Sequence, residues 1–217
     1  MMSDNGSVMQ ASPIFVTGVR RNQGKADILL SNGDIIVMPR AMLKERPYRA
    51  GVPFDPAAHE SFMQKRAYAF ALDKAVSLLA VRARTEHEIA DALRKCAYPE
   101  AVIARVMARL LEAGYLSDSD FAQSWVSSRA SKGLGTMRIR MELRRKGVEQ
   151  AAIDEAVSSV DRVALLSGAQ KAAQKAARGR DLSKNAERQK VLAALARRGY
   201  DYSTARQALQ YILDNEN

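Results

Sequence analysis

A chain of 217 residues, 47% apolar and 27% charged, has material for one or two small domains and a composition typical of globular proteins. Its 34 Lys and Arg against 24 Asp and Glu leave a formal charge of +10, which favours a polyanionic partner such as nucleic acid, a nucleoprotein or an acidic protein face. One cysteine, Cys96, excludes an internal disulfide framework, and two histidines, His59 and His87, leave little for a zinc or His-dependent catalytic centre.

In chain order, residues 1–12 are polar and predict a disordered start with no secretory pattern. From Pro13 the texture is β-like: Phe15, Val16 and Val19, then Ile28-Leu29-Leu30, then Ile35-Ile36-Val37. Asn32-Gly33 between two apolar runs predicts a type I′ hairpin turn, and the whole predicts an antiparallel meander at about 14–38. Pro39, Pro47, Pro53 and Pro56 mark residues 39–60 as a linker, with one short helix near Arg40–Glu45. The pattern beyond is helical almost throughout. A helix at about 63–82 is expected to bury Tyr68, Leu72, Ala75, Val76 and Leu79. Thr85 and Glu88 form a capping box for a helix to about Cys96, and a helix after Pro99 stops at Gly114. Ser117 and Asp120 start a helix bearing Phe121 and Trp125; Gly133 and Gly135 precede a helix at about 136–146, and 149–160 is helical. Three more helices are expected at about 161–178, 185–198 and 203–213, the last starting from Ser203.

These helices repeat. Ile89-x-x-x-Leu93-x-x-x-Ala97-Tyr98 matches Ile139-x-x-x-Leu143-x-x-x-Gly147-Val148 and Val191-x-x-x-Leu195-x-x-x-Gly199-Tyr200, with the leucines 50 and 52 residues apart. Downstream, Ile103, Ile153 and Ala205 correspond, as do Met107, Val157 and Leu209, and Leu110, Val160 and Ile212. Each unit reads as a long helix followed by a helical hairpin, too small to be comfortable alone. The predicted fold is therefore mainly α, with three tandem three-helix repeats forming an elongated body that can curve, behind a small β meander. The expected boundaries are a tail at 1–13, a β-containing module and linker at 14–60, and repeats at 61–115, 116–160 and 161–217.

The charge is uneven. Residues 1–64 hold seven basic and six acidic residues, whereas 129–200 hold 17 and 7, the whole surplus. Arg94-Lys95, Arg144-Arg145-Lys146 and Arg197-Arg198 end the second helix of each unit. Cations there complement the helix dipole whatever else they do. Their recurrence also suits a periodic acidic partner.

Gly114-Tyr115-Leu116-Ser117-Asp118-Ser119-Asp120-Phe121-Ala122 resembles a signature of the RecX regulators of the bacterial recombinase RecA, Ser117 departing from the usual Asn or Asp. Arg82-x-Arg84-Thr85-x-x-Glu88-Ile89 and the run of Arg129, Lys132, Gly135, Arg138-Ile139, Leu143 and Lys146-Gly147-Val148 resemble further signatures of that family, over about residues 65–213. Ala97 departs from an expected Gly. The resemblance implies a non-enzymatic, cytoplasmic negative regulator. It would bind along the groove of the RecA filament on single-stranded DNA and inhibit ATP hydrolysis, strand exchange and the coprotease activity of the SOS response. It implies a monomer with no cofactor, metal or membrane partner, and leaves open direct contact with single-stranded or duplex DNA. The residues expected to meet the filament electrostatically are Arg129, Lys132, Arg138, Arg140, Arg144, Arg145, Lys146, Arg197 and Arg198. The alternative is a stand-alone DNA-binding protein whose hairpins act like helix-turn-helix units.

Other motifs reduce to structure. Gly18-x5-Gly24-Lys25-Ala26 is one residue too long for a phosphate-binding loop and lacks the magnesium-binding hydroxyl, so it reads as a hairpin turn. Gly133-x-Gly135 reads as an interhelix stop, His59 as a linker residue, and Trp125, four after Phe121, as core.

Overall fold

A computed structural model describes residues 12–215 of the chain. The expected disordered start at 1–13 falls outside them except for its last two positions. Three antiparallel strands in the order β1-β2-β3 come first: β1 Val16–Arg21, β2 Lys25–Leu30 and β3 Ile35–Pro39. Alternation puts Ala26, Ile28 and Leu30 on one face, where Val16, Met38 and Met42 join them out of contact with water.

Asn32-Gly33 does not form the two-residue turn its sequence predicts. Leu30 N–H donates to the Asp34 carbonyl at 3.0 Å and Gly33 N–H to the Leu30 carbonyl at 3.1 Å, closing a three-residue loop. Asn32 and Asp34 hold each other, Nδ2 to Oδ2 at 2.6 Å and Asp34 N–H to Asn32 Oδ1 at 3.1 Å. Asn32 therefore keeps a negative φ, and Gly33 alone takes the left-handed conformation at φ +89°.

After a 3-10 turn at Arg40–Lys44, helix α1 runs Pro56–Val81, starting well before the expected 63. Asp55 explains the early start: its Oδ1 accepts from Ala58 N–H at 3.0 Å while Pro56 takes the first helical position. His59 thus belongs to α1 rather than to a linker, with its Nδ1 2.6 Å from the Tyr48 hydroxyl. The buried stripe of α1 is Ala67, Ala71 and Ala75, and the expected Val76 is 47% exposed. Small side chains let this helix approach its neighbours closely, and Tyr68 lies instead under the Arg105 guanidinium at 4.7 Å.

Eight helices follow: α2 Glu86–Lys95, α3 Glu100–Glu112, α4 Asp118–Ser131, α5 Thr136–Arg145, α6 Gln150–Ser158, α7 Arg162–Ala177, α8 Asn185–Arg197 and α9 Tyr202–Asn215. The described chain is mainly helical with one small antiparallel sheet, as predicted. Ser117 caps α4 through the Asp120 N–H at 3.1 Å. The last helix starts from Asp201 rather than Ser203: Asp201 Oδ1 accepts from Thr204 N–H at 2.8 Å and from the Ser203 hydroxyl at 2.7 Å.

The repeat is visible in the cores. Ile89 and Leu93, Ile139 and Leu143, and Val191 and Leu195 are all fully buried, and Tyr98, Val148 and Tyr200 plug the corners that follow. Truncating any of these leucines to alanine would cost about 2–5 kcal/mol. In the third helix of each unit the fully shared buried positions are Ile103 with Val106, Ile153 with Ala156, and Ala205 with Ala208. Met107, expected inside, is only half-buried, whereas its counterparts Val157 and Leu209 are buried as expected.

Two compact units divide the chain: Met1–Val81 with Ile89–Leu110, and Arg82–Glu88 with Leu111–Asn217. In the first, the β1–β2 turn lies against the corner of the first hairpin, a Cβ on Gly24 falling 2.8 Å from Cys96 Sγ. The second holds two hydrophobic cores, one around Phe121, Ile139, Leu143 and Ile153, the other around Ala173, Val191, Leu195 and Leu209.

Candidate functional site

Within the second unit, hairpin corners clasp the starts of earlier helices. Gly199, at φ +86°, lies so close to α5 that a Cβ on it would be 2.4 Å from the Arg138 backbone nitrogen. The N–H groups of Gly135 and Met137 donate to the carbonyls of Arg198 and Gly199 at 2.9 and 3.0 Å. Two of the donors that open α5 are thus satisfied by the next repeat, with no side-chain cap. Gly147, at φ +78°, meets the start of α2 the same way, a Cβ on it falling 2.4 Å from His87 Cβ. There the fully buried Thr85 hydroxyl donates to the Lys146 carbonyl at 2.6 Å and accepts from Glu88 N–H at 3.1 Å. Only this half of the predicted capping box forms, because the Glu88 carboxylate turns to Arg82 at 3.0 Å and Lys146 at 2.8 Å.

This joint claims several of the cations expected to face a partner. The Lys146 ammonium sits 4.5 Å from the Trp125 ring centroid and 5.3 Å from that of Phe121. Arg129 lies 4.0 Å from the Trp125 ring centroid with Nε 2.8 Å from Glu142 Oε2, the oxygen that also accepts from the Trp125 indole N–H at 3.1 Å. Trp125 itself is half-buried and stacks on Phe121 with centroids 5.6 Å apart. Burial on its own would raise the Glu88 carboxyl, but hydrogen bonds and charge from Arg82 and Lys146 outweigh it and hold it at about 2. Glu142 is likewise lowered against its burial by Arg129, Trp125 and Arg138. Arg129 and Lys146 are thus engaged in holding the second repeat together.

Of the remaining predicted contacts, Arg138 reaches Glu142 at 3.4 Å and the Arg197 carbonyl at 3.3 Å, and Arg140 pairs with Asp154. Arg144 Nε donates to Gln150 at 2.9 Å, and Arg198 Nη1 to the Gly133 carbonyl at 3.4 Å. Lys132, Arg145 and Arg197 are exposed and have no ion-pair partner among the described residues. Arg145 and Arg197 occupy one repeat position, two before the corner glycine; its first-repeat counterpart Lys95 pairs with Asp91 at 2.7 Å.

Four cations that repeat matching passed over join Arg197. Between α7 and α8 a cleft of about 490 Å3 is lined by Lys175, Arg178, Arg180, Lys190, Arg197 and three alanines. Glu187 binds Arg180 at 2.8 Å and Lys190 at 2.6 Å, and these hydrogen bonds lower its carboxyl. The signal was present in the basic density of residues 171–198, which includes positions the repeat does not share.

Helical hairpins joined corner to helix start, with cations ranged along them, define a class: a basic helical-repeat protein. Among the described residues no cluster of His, Cys, Asp and Glu could hold a metal ion, and no helix is long and apolar enough to cross a membrane. Family models described as the RecX first, second and third three-helix domains match residues 71–110, 117–157 and 166–209. The regulatory protein RecX of Mycolicibacterium smegmatis is 34% identical over 81% of this chain and 97% of its own length, and that of Streptomyces lividans 38% identical over 64% and 75%. The chain belongs to the RecX family of regulatory proteins. Crystal structures of a regulatory protein RecX (TM-score 0.62, 22% identity, 89% of this chain and 97% of that one) and of RecX from Lactobacillus salivarius (0.64, 20%, 67% and 96%) share the fold.

Proposed function

We propose that this chain is a non-enzymatic negative regulator that binds along the groove of the RecA filament on single-stranded DNA. In doing so it inhibits ATP hydrolysis, strand exchange and SOS coprotease activity. Residues 61–115, 116–160 and 161–217 act as three successive binding modules. The observation that carries the reading is the recurrence of an exposed, unpaired arginine, Arg145 and Arg197, at one position of consecutive repeats. A filament offers the same surface at each subunit, so a periodic array can meet it periodically. Of the nine cations expected at the filament, Lys132, Arg145 and Arg197 are free to do so, while Arg129 and Lys146 support the face from behind.

The test is RecA ATPase on single-stranded DNA with this protein added below the concentration of RecA. Inhibition at such ratios, weakening as salt rises, is the expected result. Unchanged ATPase together with tight sequence-specific duplex binding would overturn the reading in favour of a stand-alone DNA-binding protein.

A further inference from the structure

Between the second and third repeats, inside one compact unit, a groove of about 720 Å3 runs along α7 from Asp161 to Lys175. At about 1.5 Å per residue that face is on the order of 20 Å long. Its floor is small and apolar, with Ala130, Gly168 and Ala172 flanked by Val126 and Leu165, and Ala164 stands in its wall. Its rim carries Lys132, Lys171, Lys175 and Arg198 against one carboxylate, Asp161. Asp161 is occupied at the far end as the cap of α7, accepting from Val163 N–H at 2.9 Å. Lys132, Lys171 and Lys175 are exposed and have no ion-pair partner among the described residues.

The chemistry of this groove differs from that of the α7–α8 cleft, although Lys175 lines both. The cleft is lined by cations and alanines alone, which suits a hydrated phosphate chain. A phosphate chain laid in the groove would leave its apolar floor wet, and an apolar segment would leave three ammonium groups without counter-charge. An occupant with both features satisfies both surfaces, and side chains no larger than alanine along much of the floor let its backbone approach closely.

We propose that this groove seats an acidic, apolar-anchored segment of the filament protein, its apolar side chains on the floor and its carboxylates against Lys132, Lys171 and Lys175. The inference rests on the filament reading above. Ala164 is exposed in the groove wall, so Ala164→Trp fills the groove without touching the core or the charge. Anisotropy of the labelled full-length chain is read on preformed RecA filaments and on bare oligo-dT. Ala164→Trp is expected to weaken filament binding about tenfold or more while leaving oligo-dT binding unchanged, and K171E/K175E to weaken filament binding as well. Ser131→Trp, from the opposite wall, reads the same blockade should Ala164→Trp lose the native unfolding midpoint. Filament binding by the blocked variants equal to that of the native chain overturns the groove assignment. So does a K171E/K175E variant that loses filament and oligo-dT equally while the blocked variants bind normally, since the lysines then hold phosphates. If the native chain binds no filament, the filament reading falls and takes this one with it, so the two failures are told apart.

Discussion

The first hairpin corner differs from the other two by a single methyl group. Ala97 stands at φ +62° where Gly147 and Gly199 stand at +78° and +86°. An L-residue with a side chain therefore holds this corner, at a conformational cost of about 1–2 kcal/mol. What distinguishes the glycine corners is their neighbour: His87 lies against Gly147 and the Arg138 backbone against Gly199, each 2.4 Å from where a Cβ would be. Glycine at these corners is required by the clasp with an earlier helix more than by the turn itself.

The severest way to break this comparison is Gly199→Ala. The clash is with backbone that cannot rotate away, so the variant should lose about 3 kcal/mol or more in urea unfolding of the full chain. A loss under about 1 kcal/mol would mean the turn alone sets the requirement.

Glu88→Gln tests the polar side of the same joint. It leaves Lys146 half-buried without its carboxylate and should cost about 2 kcal/mol at neutral pH. The Glu88 carboxyl lies at about 2, below its ordinary 4.5, so its contribution is complete above 4.5 and is lost as pH falls toward 2. The unfolding midpoint of the native chain should therefore fall more steeply across that window than that of the variant. Equal slopes would remove Glu88 from the joint.

Arg145 and Lys146 are adjacent and sharpen the contrast between facing outward and facing the joint. Lys146→Ala should cost about 1–2 kcal/mol, through lost contacts with Trp125 and Glu88. Arg145→Ala should leave stability within about 0.5 kcal/mol and weaken filament binding instead. The reverse pattern would exchange their roles.

The gentlest change is Ala97→Gly. Relief of the left-handed strain and the extra freedom of the unfolded chain nearly cancel, so stability should shift by about 0.5 kcal/mol in the stabilising direction. A loss above about 1 kcal/mol would show that the Ala97 methyl group has a packing role of its own.

The repeat was legible because Ile89, Leu93 and their counterparts must be apolar to fill a core, and spacing alone exposes them. The shared position Val106, Ala156, Ala208 was missed because alanine inside a helix looks the same buried or exposed, and the same ambiguity hid Ala67 and Ala71, which share the buried stripe of α1 with the expected Ala75. Asn32-Gly33 misled because the dipeptide favours a turn without registering that Asp34 would bind the Asn32 side chain. For the candidate site, sequence gives where charge is and not what it touches. Lys146 and Arg145 look alike in a row of letters, and only the positions of Glu88 and Trp125 separate them. Lys171 and Lys175 were passed over because they follow the face of α7 rather than the period of the repeat.

The clasp between a corner and an earlier helix start also gives the array a polarity. Each joint has a receiving half, the start of a second helix (backbone N–H groups at α5, the Thr85 hydroxyl at α2), and an inserting half, a glycine corner from farther along the chain. The halves are not interchangeable, so the repeats cannot be shuffled freely. A module bearing Ala97, moved into the middle of the array, would drive a methyl group into the position of His87 or the Arg138 backbone. The residue at each corner thus decides whether that link can be made.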